Sequence, residues 1–152
     1  MSELPIGWRS IRFEDLNEFI SQTINPANSP QTTFTLYSVP SYPSGDPERV
    51  LGRDVGSTKQ VVAHNDVLIC KINPRINRVW RVFDKHLDVQ IASSEWIVLR
   101  SKVADPRFLQ YLFRSSRFRE MLCADVTGVG GSLTRAQPKR VATIQVPLAP
   151  LA

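Results

Sequence analysis

The sequence predicts a single compact domain of the mixed α/β (α+β) class, in which short, mostly antiparallel strands form a twisted sheet beside one main helix. The length of 152 residues is that of one domain and allows a substantial core. The apolar runs are short and are bounded by turn residues, as is typical of strands. Only residues 105–123 have sustained helical periodicity, so we expect only one long helix.

The predicted elements follow one another along the chain. WRSIRFEDLNEFI (8–20) predicts a short strand that runs into a short N-terminal helix. The proline-rich segment 25–50 predicts irregular loops around one strand at 34–39. Further strands are predicted at 61–62, 67–72, 79–83, 89–92 and 96–100, with a last strand in VATIQVPL (141–148).

The main helix is expected over about 105–123. Asp105 is the predicted N-cap and Pro106 occupies the first helical position. An apolar face is predicted from Phe108, Tyr111, Leu112, Phe118 and Leu122. The opposite face carries Arg107, Gln110, Arg114 and Arg117. An arginine face can meet DNA phosphates, although charged helix faces are more often simply solvated.

Positive charge is concentrated in the C-terminal two-thirds of the chain. The net charge is +5. Residues 1–50 carry three basic and six acidic side chains, and residues 51–152 carry sixteen and eight. Fourteen of the basic residues are arginine, whose planar fork matches phosphates and guanine edges. This favours a surface that faces a polyanion; an ordinary solvated basic surface is the alternative.

Motifs for catalysis are missing from the sequence. Cys70 and Cys123 lie in apolar settings without disulfide or metal spacing, which favours a reducing cytoplasm. His64 and His86 have no second ligand at metal spacing, and no serine has a nucleophile-elbow pattern. No run is apolar enough to span a membrane, and the start MSELPIGWRS lacks the basic-then-apolar order that is typical of a signal peptide. We therefore predict a non-catalytic protein with no metal, no cofactor and no membrane contact.

The first candidate binding loop is KINPRINR (71–78), between an apolar run and the next strand at Val79. Both of its ends are tethered, which lowers the entropy cost of holding a side chain against a base. Asparagine pairs with adenine and arginine with guanine in a bidentate manner. We assign Arg75, Asn77 and Arg78 to base contacts, and Asn73 to the same group. The alternative is that the arginines only make this edge soluble.

The second candidate loop is the glycine-rich TGVGGSLTRAQPKR (127–140). Its glycines follow a helix and precede a strand, which is the reverse of a dinucleotide-binding motif. We assign Arg135, Lys139 and Arg140 to DNA phosphates; a plain connecting loop is the alternative. The full predicted DNA-binding set is Lys71, Asn73, Arg75, Asn77, Arg78, Ser132, Thr134, Arg135, Lys139 and Arg140.

Six segments in the same order resemble target recognition domains of type I restriction–modification specificity (S) subunits. LPIGW (4–8) resembles the Leu-Pro-x-Gly-Trp opening of that family. HNDVLICKINPRINRV (64–79) is similar to its Gly-Asp-Ile-Leu segment, with Asn65 at the usual glycine. The remaining segments are similar to the family's small-residue-rich strand, its helix, its glycine-rich loop, and its late strand with a Pro-Leu-x-Pro-Leu ending: IASSEWIVLRS, DPRFLQYLFRSSRFREML and GVGGSLTRAQPKRVATIQVPLAPL.

The resemblance implies a module that binds double-stranded DNA and reads one half of a bipartite target. It implies partner subunits, a methyltransferase (M) that carries S-adenosylmethionine and a restriction (R) translocase–nuclease. Residues 1–152 are expected to form one target recognition domain, and the helical spacer that follows it in the family is absent from the sequence. Self-association of half-subunits stays open. The alternative function is a non-catalytic protein-interaction or inhibitor domain with a basic face.

Overall fold

The computed structural model describes residues 4–83, 87–124, 126–127 and 134–150, with the backbone alone at 126–127. The strands are β1 Arg9–Arg12, β2 Thr23–Ile24, β3 Thr33–Tyr37, β4 Glu48–Leu51, β5 Lys59–Val62, β6 Val67–Cys70, β7 Val79–Arg81, β8 Val89–Ala92, β9 Trp96–Leu99, β10 Val126–Thr127, β11 Arg135–Ala136 and β12 Gln145–Leu148. The α-helices are α1 Phe13–Leu16, α2 Pro106–Phe113, α3 Ser116–Cys123 and α4 Pro138–Val141. Short 3₁₀ turns lie at Pro26–Asn28, Tyr42–Ser44, Gly52–Asp54 and Pro74–Ile76.

The strands are distributed over several small sheets. One sheet has the order β2-β5-β8-β3-β4, in which only the β3–β8 pair is parallel. A second, antiparallel sheet has the order β7-β6-β9. The remaining antiparallel pairs are β1 with β12 and β10 with β11. The predicted α+β class with mostly antiparallel strands is therefore confirmed, with several sheets in place of one.

Strand β6 lies between two parts of the core. Val67 and Ile69 pack into a cluster with residues of all four helices, whereas Leu68 and Cys70 face an aromatic cluster that contains Trp80. Side chains alternate across a strand, so a strand that is buried on both faces needs an unbroken apolar run. This accounts for the sequence VLIC, which is almost completely inaccessible to solvent.

The predicted single helix over 105–123 is wrong in one respect, because two helices occupy this range. The start is as predicted: Asp105 Oδ1 accepts the Arg107 N–H at 2.8 Å, and Pro106 begins α2. Ser115 then accepts the Phe118 N–H at 3.2 Å and acts as the N-cap of α3. A serine side chain that binds backbone in this way ends one helix and begins the next.

The break also changes which residues of the first helix are buried. Leu109 and Phe113 are buried, whereas Tyr111, predicted on the apolar face, is 85% exposed. The predicted partners Phe118 and Leu122 are buried in α3. The sequence prediction treats the apolar residues of α2 and α3 as one continuous helical face. The chain ends one helix and begins another between them, so the two apolar faces are not in phase.

The outer elements differ little from the expectation. The predicted N-terminal strand and helix are β1 and α1. The predicted last strand begins later than expected, because residues 138–141 form α4 with Pro138 in its first turn. Across the described ranges, no helix combines the length and the apolar character needed to cross a bilayer.

Candidate nucleic-acid interface

The two loops that were predicted to bind DNA lie side by side in the fold. Ile72 forms an isolated antiparallel bridge with Arg135. The Asn73 N–H donates to Thr134 O at 2.7 Å, and the Ala136 N–H donates to Lys71 O at 2.7 Å. Residues 71–78 and 134–140, here called the loop pair, are therefore joined by backbone hydrogen bonds although they are far apart in sequence.

Both asparagines of the first loop have left-handed backbone conformations. Asn73 has φ 45° and Asn77 has φ 53°, a region that asparagine tolerates better than most residues. Asn73 Oδ1 accepts hydrogen bonds from the N–H and the hydroxyl of Thr134, at 3.3 and 3.2 Å. Asn77 Nδ2 donates to Phe113 O at the end of α2, at 2.9 Å. In the free protein these side chains hold the loop in place, and their base contacts stay a prediction.

The two arginines of the first loop differ in exposure. Arg78 is half-buried, and its Nη1 donates to Ile72 O at 3.2 Å and contacts Cys70 Sγ at 3.7 Å. Arg75 lies exposed in the 3₁₀ turn that follows the buried Pro74. This turn packs against α3, and the charge of Arg75 opposes the rise that burial causes in the pKa of the Cys123 thiol at the end of that helix. Of the two, Arg75 is the better placed to meet a ligand without breaking a contact.

The second loop supplies the rest of the predicted set. Arg135 forms an ion pair with Glu95, whose carbonyl oxygen also accepts the Lys71 N–H at 2.9 Å. Lys139 and Arg140 are exposed on α4. Ser132 and the glycines at 128, 130 and 131 lie outside the described residues. The structure thus brings Lys71, Asn73, Thr134 and Arg135 together, with Lys139 and Arg140 a few residues beyond them.

A groove beside β7 was missed by the sequence reasoning. It has a volume of about 480 Å³ and is lined by Tyr42, Pro43, Ser44, Gly45, Trp80, Arg81, Phe83, Gln110 and Arg114, here called the β7 groove. Arg114 Nη2 donates to Val79 O at 3.1 Å, and the Tyr42 hydroxyl donates to the same oxygen at 3.3 Å. Arg114 was already singled out on the arginine face of the predicted helix. The sequence around Arg81 does not predict a binding residue, because its neighbours in space come from three distant segments.

The described residues offer neither a metal centre nor an activated cysteine at this site. Among the described residues, no group of three His, Cys, Asp or Glu side chains could hold a metal ion. Burial raises the pKa of the Cys70 thiol, while a hydrogen bond with Ile72 and the charge of Arg78 act in the opposite direction. Reactive cysteines have a lowered pKa, so Cys70 has the character of a core residue.

Comparison with known proteins identifies the class of fold. No protein-family model matches the chain, and neither does a curated protein. Among solved structures, the HsdS subunit from Thermoanaerobacter tengcongensis is similar at a TM-score of 0.83 and 27% identity, with 99% of this chain and 40% of that chain covered. A chain from a structural study of complex assembly and conformational transition of the type I R-M system is similar at 0.82 and 26%, with the same coverage.

These two matches confirm the resemblance that the sequence motifs indicated. The chain has the α+β fold of type I restriction–modification specificity subunits over nearly its whole length. It spans 40% of the length of the chains it matches.

Proposed function

We propose that this chain is a sequence-specific DNA-binding specificity module of a type I restriction–modification enzyme, and that it reads one half of a bipartite target. The observation that carries the proposal is the likeness to an HsdS subunit over 99% of the chain at a TM-score of 0.83. The charge distribution supports it independently, since residues 51–152 carry sixteen basic and eight acidic side chains. Binding to double-stranded DNA depends largely on such phosphate-facing charge.

The loop pair is the proposed reading surface. Its backbone is held by the Asn73–Thr134 contacts and by the hydrogen bond from Asn77 to α2. A prepositioned loop loses less conformational entropy when it meets a base edge. Arg75 presents an exposed guanidinium from this support, and arginine pairs with guanine O6 and N7 in the major groove. Lys139 and Arg140 supply exposed positive charge for phosphates on the second side.

The module acts without chemistry of its own in this proposal. Methyl transfer and cleavage belong to separate methyltransferase (M) and restriction (R) subunits, which the module directs to its target. The motivation is the likeness to an HsdS subunit, together with the second match, whose study concerns complex assembly of the type I R-M system. Purified chain with duplex DNA, magnesium and S-adenosylmethionine should neither cut nor methylate. Turnover that follows the chain through several purification steps would contradict this part.

Selection from a randomised duplex pool tests the proposal. The expected result is enrichment of one short motif by the wild-type chain and a motif relaxed at one or two positions in Arg75→Ala, while Arg53→Ala, a change at an exposed arginine outside the loop pair, leaves the selected motif unchanged. A folded wild-type chain that enriches no motif would overturn the proposal. Binding to an acidic protein, with no retention of duplex DNA, would favour the interaction-domain alternative instead.

A further inference from the structure

We propose that Arg81 is a second DNA contact: held by Asn65 and by Phe83 of the β7 groove, it binds a backbone phosphate of the duplex that the loop pair reads. The proposal rests on the proposed function and adds a site to it. The β7 groove is outside the predicted DNA-binding set. Its described lining contains two arginines and no aspartate or glutamate, whereas a second cavity, which Arg81 lines together with Asn65, contains Asp105.

The Arg81 guanidinium has a hydrogen-bond partner at Nη1 but none at Nε. Its Nη1 donates to Asn65 Oδ1 at 3.1 Å, and its Cζ lies 5.8 Å from the centre of the Phe83 ring. Its Nε is buried and has no hydrogen-bond partner in the described part of the chain. A buried donor without an acceptor is unfavourable, so an acceptor that reaches this edge would be bound with a gain.

Nε lies on the edge of the guanidinium, shared with Nη2, through which arginine often binds an anion. In this same protein, Arg100 binds the Asp66 carboxylate through Nε and Nη2, both at 2.8 Å. With Nη1 of Arg81 on Asn65, the Nε and Nη2 pair is the matching fork for two phosphate oxygens, but Nε is covered in the free protein, so the proposal requires the Arg81 side chain to shift and expose Nε when the phosphate binds. Paired N–H donors of this kind make arginine a preferred partner of phosphate.

Arg114 adds a second cation to the same groove. Its Nη2 donates to Val79 O at 3.1 Å, which fixes the side chain against the edge of β7. Val79 precedes Arg81 by two residues, a rise of roughly 6.6 Å along a strand. The groove also adjoins the loop pair, because Asn77 of the loop binds Phe113 O and the next residue, Arg114, lines the groove. We therefore expect one duplex to reach the loop pair and the groove together.

Asn65 is the positioning residue of this contact. Its φ is 73°, a left-handed conformation that glycine adopts most easily and asparagine tolerates. Glycine is the residue expected at this position from the resemblance. Asparagine preserves the turn and adds the carbonyl oxygen that orients Arg81. Asn65→Gly therefore removes the hydrogen bond without opposing the backbone.

The test compares binding of the full chain to its selected duplex and to a scrambled duplex over a range of salt concentrations. The variants are Arg81→Gln, Arg81→Lys, Asn65→Gly and the double change, with Arg53→Gln as a control that removes one exposed charge elsewhere. Thermal unfolding of each variant establishes that it is folded.

We expect Arg81→Gln to weaken both duplexes about equally and to lower the slope of log K against log salt by about one unit. Arg81→Lys keeps the charge and should keep the slope while losing affinity, because it lacks the fork. Asn65→Gly should weaken binding about three-fold to ten-fold, about the strength of one modest hydrogen bond. It should have no further effect in the Arg81→Gln background.

The outcomes separate the two claims. If Arg81→Gln behaves like Arg53→Gln while Arg75→Ala relaxes the selected motif, the groove contact is wrong and the proposed function stands. If Asn65→Gly and Arg81→Gln have additive effects, Asn65 does not act through Arg81. If the wild-type chain binds neither duplex, the proposed function fails and takes the groove contact with it. An Arg81→Gln protein that does not fold leaves Arg81→Lys and Asn65→Gly to decide.

Discussion

Asn73 and Thr134 join two loops that lie 61 positions apart in the sequence. The Asn73 N–H donates to the Thr134 carbonyl oxygen at 2.7 Å, and Asn73 Oδ1 accepts both the N–H and the hydroxyl of Thr134. Asn73 thus adopts the left-handed conformation that the tight turn requires, and its side chain links the two loops. The loop pair exists as a single surface because of this relationship.

Replacement of Asn73 should loosen the loop pair. Asn73→Ala removes two accepted hydrogen bonds and places alanine at φ 45°, so we expect the free energy of unfolding to fall by about 1–3 kcal/mol. Asn73→Gly accommodates the backbone and should lose less. Urea denaturation measures both, with Thr134→Val as the variant that removes only the hydroxyl contact. Equal stability of Asn73→Ala and wild type would show that the link does not stabilise the fold.

Asn77 is expected to act mainly through the fold. Asn77→Asp keeps the size of the side chain but replaces the donor to Phe113 O with a carboxylate at the negative end of α2. We expect a loss of about 1–2 kcal/mol in stability. Asn28→Asp, at an exposed asparagine of another turn, is the matched control and should change stability little. An Asn77→Asp protein with unchanged stability and altered base preference would instead support the predicted base contact of Asn77.

The Asp66–Arg100 pair is expected to be the most sensitive ion pair of the described structure. Asp66 is 2% exposed, binds both Nε and Nη2 of Arg100 at 2.8 Å, and accepts the Ala63 N–H at 2.8 Å. The hydrogen bond from Arg100 to Asp66 keeps the pKa of Arg100 above its ordinary value. Asp66→Asn leaves the guanidinium without its counter-charge and should cost about 3 kcal/mol.

The matched control for this pair is the exposed contact between Arg12 and Glu14, at 3.1 Å. Glu14→Gln should cost less than about 1 kcal/mol, because solvent screens an exposed pair. Chemical denaturation of the two variants gives the comparison. Similar losses in both would show that burial of Asp66 adds nothing.

The thiols should be slow to react at neutral pH. Burial raises the pKa of both Cys70 and Cys123, so the thiolate fraction is low at pH 7 and increases only above the ordinary thiol pKa of about 8.5. A thiol reagent should modify the half-buried Cys123 first and Cys70 only on unfolding. Rapid labelling of Cys70 in the native protein at pH 7 would contradict its placement in the core. Cys123→Ser isolates the Cys70 signal.

The sequence predicts local features well and long-range ones poorly. The apolar strand β6 and the N-cap Asp105 depend only on residues that are close together in the sequence, and the structure contains both. The break at Ser115 was missed because a serine inside a helical pattern becomes a cap only when the chain turns there. The bridge between Ile72 and Arg135 depends on tertiary structure, which no periodicity encodes. Arg81 is likewise recognisable only from neighbours that are distant in the sequence.

The central claim is that the loop pair reads sequence, with Arg75 at a base edge and Lys139 on a phosphate. Its most direct test is a binding titration of wild type, Arg75→Ala and Lys139→Ala against the selected and a scrambled duplex at several salt concentrations. Arg75→Ala should cost roughly 1–3 kcal/mol on the selected duplex and relax the preference at one or two positions. Lys139→Ala should weaken both duplexes alike and lower the salt slope by about one unit. Equal binding of both duplexes by the wild-type chain, or full retention of preference in Arg75→Ala, would contradict the account.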